Sequence, residues 1–405
     1  MFDVVIAGGG YVGMSAAVAM KTSSPHLHIA LIDAAPKAAI EKEERASAIA
    51  AAASRMLDQL GIWDTLLAQA QPINEMIVTD SRTSDPVRPV FLTFGDVTKP
   101  DTAEPFAHMV PNRAMILALR EKAEDMGLDL RHEETVEGFE TGAVSTQVQL
   151  GSGETLTTRL LVAADGVRSR LRDHAGIKTV HWAYGQKGIV TTVRHERPHE
   201  GRAEEHFLPG GPFATLPLTG NRSSLVWTEP DDVADRLVAA DDFTFELELE
   251  QRFGHKLGDI EVAGPRRAFP LGLTLARSFV KPRLALVGDA AHGIHPIAGQ
   301  GLNLGFKDAA ALAQTIVEAD RLGLDIGSMA VLERYERWRR FDTVQMGVIT
   351  DVLNRLFSND IGPLRTLRTI GLGIVDRLPA VKDAFINQAA GRSASNPALL
   401  NGEAI

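Results

Sequence analysis

The chain has 405 residues and not one cysteine. That absence excludes disulfides, thiol redox catalysis, thiolate metal sites and a cysteinyl bond to a cofactor, so any redox chemistry has to be brought in by a bound group. Positive charge is in short supply as well: the formal net charge of −10 argues against a nucleic-acid binder, because neutralising phosphates needs a basic face. No run of about 18 apolar residues occurs, so no transmembrane helix is predicted. The apolar N-terminal stretch lacks a basic leader, carries Asp3 and is punctuated by glycines; it is expected to be mature structure rather than a signal peptide. The simplest location is cytoplasmic. No metal is expected: His292 and His295 stand three apart, but a loop separates them, Pro296 follows and no acid cluster lies near, which marks two structural histidines.

The glycines carry the information. Phe2-Asp-Val-Val-Ile-Ala7 reads as a buried parallel strand, followed by Gly8-Gly-Gly10-Tyr-Val-Gly13 and a helix of small residues. Gly8 suits the tight turn, Gly10 lets a pyrophosphate reach the backbone, and Gly13 lets helix and strand pack closely. A second strand, His28 to Ile32, ends in Asp33, placed 20 residues after Gly13 where an acid meets a ribose diol. That unit alone leaves NAD and FAD open. A second layout of the same kind runs from Leu286-Val-Gly288-Asp289 through His295-Pro296-Ile-Ala-Gly299-Gln300-Gly301-Leu302-Asn303 to Asp308. A strand ends, a loop stiffened by Pro296 turns, and Gly299 to Gly301 open a helix whose first N–H groups are aimed at an electron-rich group.

A third segment, Leu160-Leu-Val-Ala-Ala-Asp165-Gly166, is another apolar strand ending on a carboxylate and a glycine. Together these elements resemble the FAD-dependent class A aromatic hydroxylases along nearly the whole chain, and the His295 to Asp308 run resembles the signature of the ubiquinone-biosynthesis ring hydroxylases, the UbiH/UbiF family. The resemblance implies non-covalent FAD, NAD(P)H as co-substrate, and transfer of an oxygen atom from a flavin C4a-hydroperoxide to a phenolic ring carrying a polyprenyl tail. It further implies that Asp289 accepts from the ribityl chain, that Pro296, Gly299, Gln300 and Gly301 position the ring, and that Gly299 to Leu302 and Asn303 lie beside it. Asp165 and Gly166 would lie near the pyrophosphate, and Arg45 and Arg113 would reach the FAD. No catalytic base is assigned. The chain has no second GxGxxG with a strand-helix context, which speaks against a flavin disulfide reductase with its own NAD(P)H domain.

The expected fold is α/β, α+β overall: a Rossmann-like FAD-binding domain (residues 1–75, 110–180 and 273–345) interleaved with a sheet-rich substrate domain (76–109 and 181–272). A helical region (346–390) and a disordered tail (391–405) complete it. The turn Pro209-Gly-Gly-Pro212 is a hairpin or a substrate contact, and Trp182, Tyr184 and Trp227 are expected in aromatic packing rather than on a substrate. Apolar residues at helical spacing from Val348 to Phe357, with Arg355, Arg365, Arg368 and Arg377 among them, suit packing on the enzyme or a partner complex, or a peripheral contact with the inner face of a membrane. Two rival functions stay open: hydroxylation of a small soluble aromatic, and FAD-dependent reduction or electron transfer without oxygen insertion.

Overall fold

The computed structural model describes residues 1–83, 88, 90–95, 104–294, 300–357, 391 and 395–405. Phe2–Ala7 is an inner strand of the first sheet, and its Val4, Val5 and Ile6 are fully buried, as a strand covered on both faces requires. Ile29–Asp33 and Thr155–Ala163 flank it in parallel. Asp129–His132 lies outside the first of these and Leu284–Leu286 outside the second, both parallel again. The register aligns Ala7 with Ala163 and Ala163 with Leu286. Three motifs therefore leave the same carboxyl edge of neighbouring strands, each about 5 Å from the next.

The helix Tyr11–Ser23 follows the first strand, with every residue from Gly13 to Met20 buried. Small side chains there let it nest against the helices Asn112–Asp125 and Gln300–Arg321. A three-stranded sheet of Ala46–Ala50, Ala107–Pro111 and Gln71–Ile73 leads toward the second large sheet. In that sheet the order runs His292–Gly293, Arg267–Ala276, Thr179–His195, Arg222–Pro230, Gly211–Leu218, Arg202–Leu208, Glu75–Asp80, Val90–Gly95. One face buries Phe213 and Trp227 against Phe245 in a separate core. Helices Asp231–Ala239 and Asp242–Phe253 supply the cover. Alternation along the strands turns Pro212, Ala214, Leu216, Val226 and Thr228 to the other face, toward the first sheet.

Two short helices, Ala51–Gln59 and Trp63–Leu67, are separated by Gly61 at φ +72°, a left-handed conformation that glycine adopts without strain. Helix Asp231–Ala239 was not foreseen, although Asp231 and Asp232 in its first turn favour a helix start there. The disordered tail needs correction. Residues 395–405 are ordered: Ala398–Asn401 forms a 3₁₀ turn whose Leu399 and Leu400 are buried in the main core, and Ala398 N–H donates to Gln314 Oε1 at 3.0 Å. The two buried leucines and the hydrogen bond to Gln314 offset part of the entropy lost in ordering this segment.

The helix Met329–Phe357 runs through residue 345 without a break and fastens both sheets together. Tyr335 Oη donates to Leu286 O of the first sheet at 2.8 Å, and its carboxyl-terminal half meets the second through Trp182 Nε1 to Asp351 Oδ1 at 2.9 Å and Asn354 Nδ2 to Gln186 Oε1 at 3.0 Å. Its outer side exposes Phe341, Val344, Val348 and Val352, which recur at helical spacing. The side chains of Arg355, Leu356 and Phe357, and Arg365, Arg368 and Arg377 altogether, lie outside the described residues. Among the described residues no helix is long and apolar enough to cross a membrane.

Candidate active site

The loops at the carboxyl edge of the first sheet and the inward face of the second enclose a cavity of about 580 Å³. Gly10, Gly13, Arg45, Gly166, Gly288, Asp289, Gly301 and Leu302 line it, eight of the residues singled out in the sequence. Gly8 stands behind the cavity and shapes it: at φ +118°, a Cβ there would lie 2.2 Å from Ala164 O. Gly13 is equally constrained, since its Cβ would lie 2.1 Å from Gly8 O. At Gly10 the opposite holds. A Cβ would meet nothing within 4 Å, because that position faces the open cavity at the start of the helix Tyr11–Ser23.

Asp289 has its carboxylate open to the cavity, yet the enclosing walls and then the nearby Asp308 charge push its pKa above the ordinary carboxylate value. Atoms crowd around the group on its other sides, while the side toward the cavity is free of protein. Asp165 offers Oδ2 to Leu171 N–H at 3.3 Å, while its buried Oδ1 has no hydrogen-bond partner. Arg45 is held by Glu43 at 2.6 Å, which raises its pKa, and lies 5.6 Å from the Phe269 ring centroid.

Not every expected residue comes to the cavity. Asp33 turns its carboxylate to Ala35 N–H at 3.1 Å and sits beneath Gly9, outside the cavity lining. Arg113 lines an adjoining groove of about 1040 Å³ that shares Arg45 with the cavity. Asn303 spends its amide on the strand Ala46–Ala50, accepting from Ala50 N–H and donating to Ala48 O, both at 2.8 Å. It therefore ties the start of its helix to that strand. Pro296 and Gly299, and the side chain of Gln300, lie outside the described residues, as does His295. Trp227 is sealed in the second core, and Trp182 bonds Asp351; neither lines the cavity.

Behind the cavity lies a buried polar cluster. Asp308 is wholly buried and accepts from Gly288 N–H at 2.9 Å, from His292 Nε2 at 2.5 Å and from Arg339 Nε at 2.8 Å. Burial alone would raise its pKa, but His292 and Arg339 together outweigh that and hold it below the carboxylate range. The acid closing the signature is thus a buried, hydrogen-bonded structural group that pins the Gly288-Asp289 turn from below. Arg172, which sequence spacing did not bring out, donates one Nη1 to Val167 O at 3.1 Å and to Ala290 O at 3.2 Å. It clamps the loop after Asp165-Gly166 to the loop after Gly288-Asp289. Only the three-dimensional adjacency of those strands reveals its use.

The arrangement suits a flavin dinucleotide. Gly10 leaves backbone approachable, the helix start supplies unpaired N–H groups for a pyrophosphate, and Asp289 is an acceptor for hydroxyl donors. Fold and cavity together define a flavoprotein of the kind in which a dinucleotide domain faces a sheet. The comparisons agree: the FAD binding domain family matches residues 1–345. The chain is 43% identical to the ubiquinone hydroxylase UbiL of Rhodospirillum rubrum, over 96% of this chain and 89% of that protein. It is 32% identical to the mitochondrial ubiquinone biosynthesis monooxygenase COQ6 of Mus musculus, over 95% and 90%. With the 3-demethoxyubiquinol 3-hydroxylase of Escherichia coli the identity is 32%, over 96% and 98%. The solved p-nitrophenol 4-monooxygenase PnpA of Pseudomonas putida shares the fold, with a TM-score of 0.78 at 18% identity over 97% of this chain and 99% of that one. The chain belongs to the FAD-dependent hydroxylases of ubiquinone biosynthesis. It is an aromatic-ring monooxygenase with FAD as cofactor and NAD(P)H as co-substrate.

Proposed function

We propose that this chain hydroxylates the ring of a polyprenylated phenol on the route to ubiquinone, with FAD held in the cavity between the two sheets. The observation carrying this reading is the convergence of three loops from neighbouring parallel strands on one cavity whose far wall is the second sheet. Gly10 and the helix start behind it receive the pyrophosphate, Asp289 accepts from the ribityl hydroxyls, Gly166 lets the chain pass close by, and Gly301 and Leu302 border the ring. Arg45 balances phosphate charge at the cavity rim. Arg113 and Asp33 act from its margins, and Asp165 and Asn303 brace the loops. Pro296, Gly299 and Gln300 complete the ring's setting on the strength of the signature. The chemistry supplied by bound flavin is acceptance of a hydride from NAD(P)H and delivery of one oxygen atom from O₂ to an electron-rich ring. The protein's part is to orient that ring and keep water away from it.

With an oxygen isotope as O₂, the purified enzyme is expected to place one labelled atom in a prenylated phenol; NAD(P)H oxidation with no label in any aromatic product would favour the electron-transfer alternative. Asp289→Ala is expected to purify folded but short of flavin. Losing a hydrogen bond to a charged group costs about 1.5–3 kcal/mol, or roughly 10- to 150-fold in FAD affinity. Full flavin occupancy at dilute protein, read by absorbance, would move the ribityl chain elsewhere.

The tailed substrate is met at a membrane surface, where the stripe Phe341, Val344, Val348 and Val352 makes the contact, with Arg337 and Arg340 exposed beside it. The double substitution Phe341→Gln, Val348→Gln is expected to abolish flotation with anionic vesicles while leaving flavin content unchanged; unaltered flotation would assign the contact to other residues.

A further inference from the structure

The wall that the second sheet presents to the cavity is nearly all apolar. In its middle, the register sets Glu205 opposite Ala214 and Ala214 opposite Val226, a row crossing three strands, and all three residues line the cavity. Among the described residues Glu205 is the one carboxylate lining that wall, and it is only 3% exposed. A carboxylate buried on an otherwise apolar wall persists only when it is paired or hydrogen-bonded. It already has a partner in the protein, yet a carboxylate has about four lone-pair sites and accepts further bonds. Ala214 beside it is small and partly open, which leaves room for a planar ring. Thr228, on the same wall, is buried and its hydroxyl has no partner among the described residues, a second polar point facing the same cavity.

On the reading of this cavity as the site of ring hydroxylation, we infer that Glu205 is the residue that receives the substrate's ring hydroxyl. Its carboxylate accepts the hydrogen bond of the phenolic O–H and takes the proton as oxygen is transferred: the O–H bond breaks, the proton moves to a Glu205 oxygen, and the electron pair stays on the ring oxygen. The ring is thereby richer in electrons when it takes up the oxygen atom; the hydrogen displaced from that ring carbon leaves as a proton and departs with the second oxygen atom as water, and Glu205 returns its own proton to the ring oxygen of the product. The adjoining row of Ala214 and Val226 holds the flat face of the ring. Sequence reasoning had no means to single this acid out, because Glu204 and Glu205 are adjacent and only the strand's orientation decides which faces the cavity. Glu204 instead contacts Lys256 and His206.

The test uses the holoenzyme with 2-prenylphenol and its O-methyl ether, which lacks the donor. The wild type is expected to hydroxylate the phenol with close coupling to NAD(P)H oxidation and to discriminate strongly against the ether. Glu205→Gln is expected to keep its flavin, to form product about 100-fold more slowly, to lose the acidic limb of the pH profile, and to treat phenol and ether nearly alike, since positioned proton transfer contributes roughly 10²–10⁴-fold. Glu205→Asp should recover part of the preference. If Glu205→Gln retains its flavin and the full wild-type preference for phenol over ether, the assignment is overturned while the hydroxylase reading stands. If the wild type gives no product from any prenylated phenol, the functional reading itself fails and takes this inference with it. Should Glu205→Gln not fold, Thr228→Val and Ala214→Leu carry the test: the first depolarises and the second fills the wall beside Glu205, and an unchanged phenol preference in both overturns the placement.

Discussion

Gly10→Val is expected to give a folded chain that carries almost no FAD. The backbone at Gly10 has φ −72° and ψ 179°, which a branched residue adopts without strain, and a Cβ there meets nothing in the protein within 4 Å. All of the added volume therefore falls into the space left for the cofactor. The neighbouring fingerprint glycine should behave in the opposite way. Gly13→Val drives its Cβ to 2.1 Å from Gly8 O, a backbone atom that cannot step aside, so this variant is expected to lose the fold along with the flavin. Circular dichroism and the flavin-to-protein ratio separate the two outcomes. Gly10→Val with full flavin, or Gly13→Val with native stability, would contradict the roles assigned here.

Asp308→Ala is expected to be strongly destabilising. Removing the carboxylate leaves the buried Gly288 N–H, His292 Nε2 and Arg339 Nε without their acceptor, while Arg339 Nη1 keeps only Asp342 at 3.1 Å. Breaking a buried ion pair by deleting one partner costs about 3–5 kcal/mol. Asp308→Asn keeps an acceptor oxygen and should lose less, so the order wild type, Asn, Ala in denaturant midpoint is the measurement. The dependence on pH has a definite sign. The folded-state pKa of Asp308 lies below its unfolded value of about 3.9, so its stabilisation is complete above that value and disappears as pH falls through the folded pKa. Acid unfolding of the wild type should therefore be steeper than that of Asp308→Asn. Equal acid limbs would show that some other carboxyl governs the transition.

The nucleotide half of the fold was legible because its signals are local. A buried strand, a glycine turn and a small-residue helix are written in consecutive residues from Phe2 to Met20, and the strand from Leu160 ends visibly on Asp165 and Gly166. The same locality explains what escaped. Arg172 and Asp308 act on backbone atoms 118 and 20 residues away, respectively, and nothing at their own positions shows the target. Asn303 looked like a cofactor contact since it follows Gly301 and Leu302 closely, yet the turn of the helix directs it to Ala48 and Ala50. The segment ending in Ile405 has a composition common in loose tails, and only the groove beside Ala51–Gln59 makes Leu399 and Leu400 core residues.

The three loops that border the cavity leave strands ending at Ala7, Ala163 and Leu286, and each strand is a neighbour of the next. A chain growing from its amino end therefore carries the first glycine turn long before it has a partner for it. Until Leu284–Leu286 has emerged and joined the sheet, no surface exists on which flavin can rest, and the segment 395–405 still has to seal the same core. Cofactor loading is consequently a late event in the life of the polypeptide. A ribosome-bound chain stalled before residue 284 would expose the apolar rims of an unfinished sheet, the kind of surface on which chaperones act and from which aggregates grow.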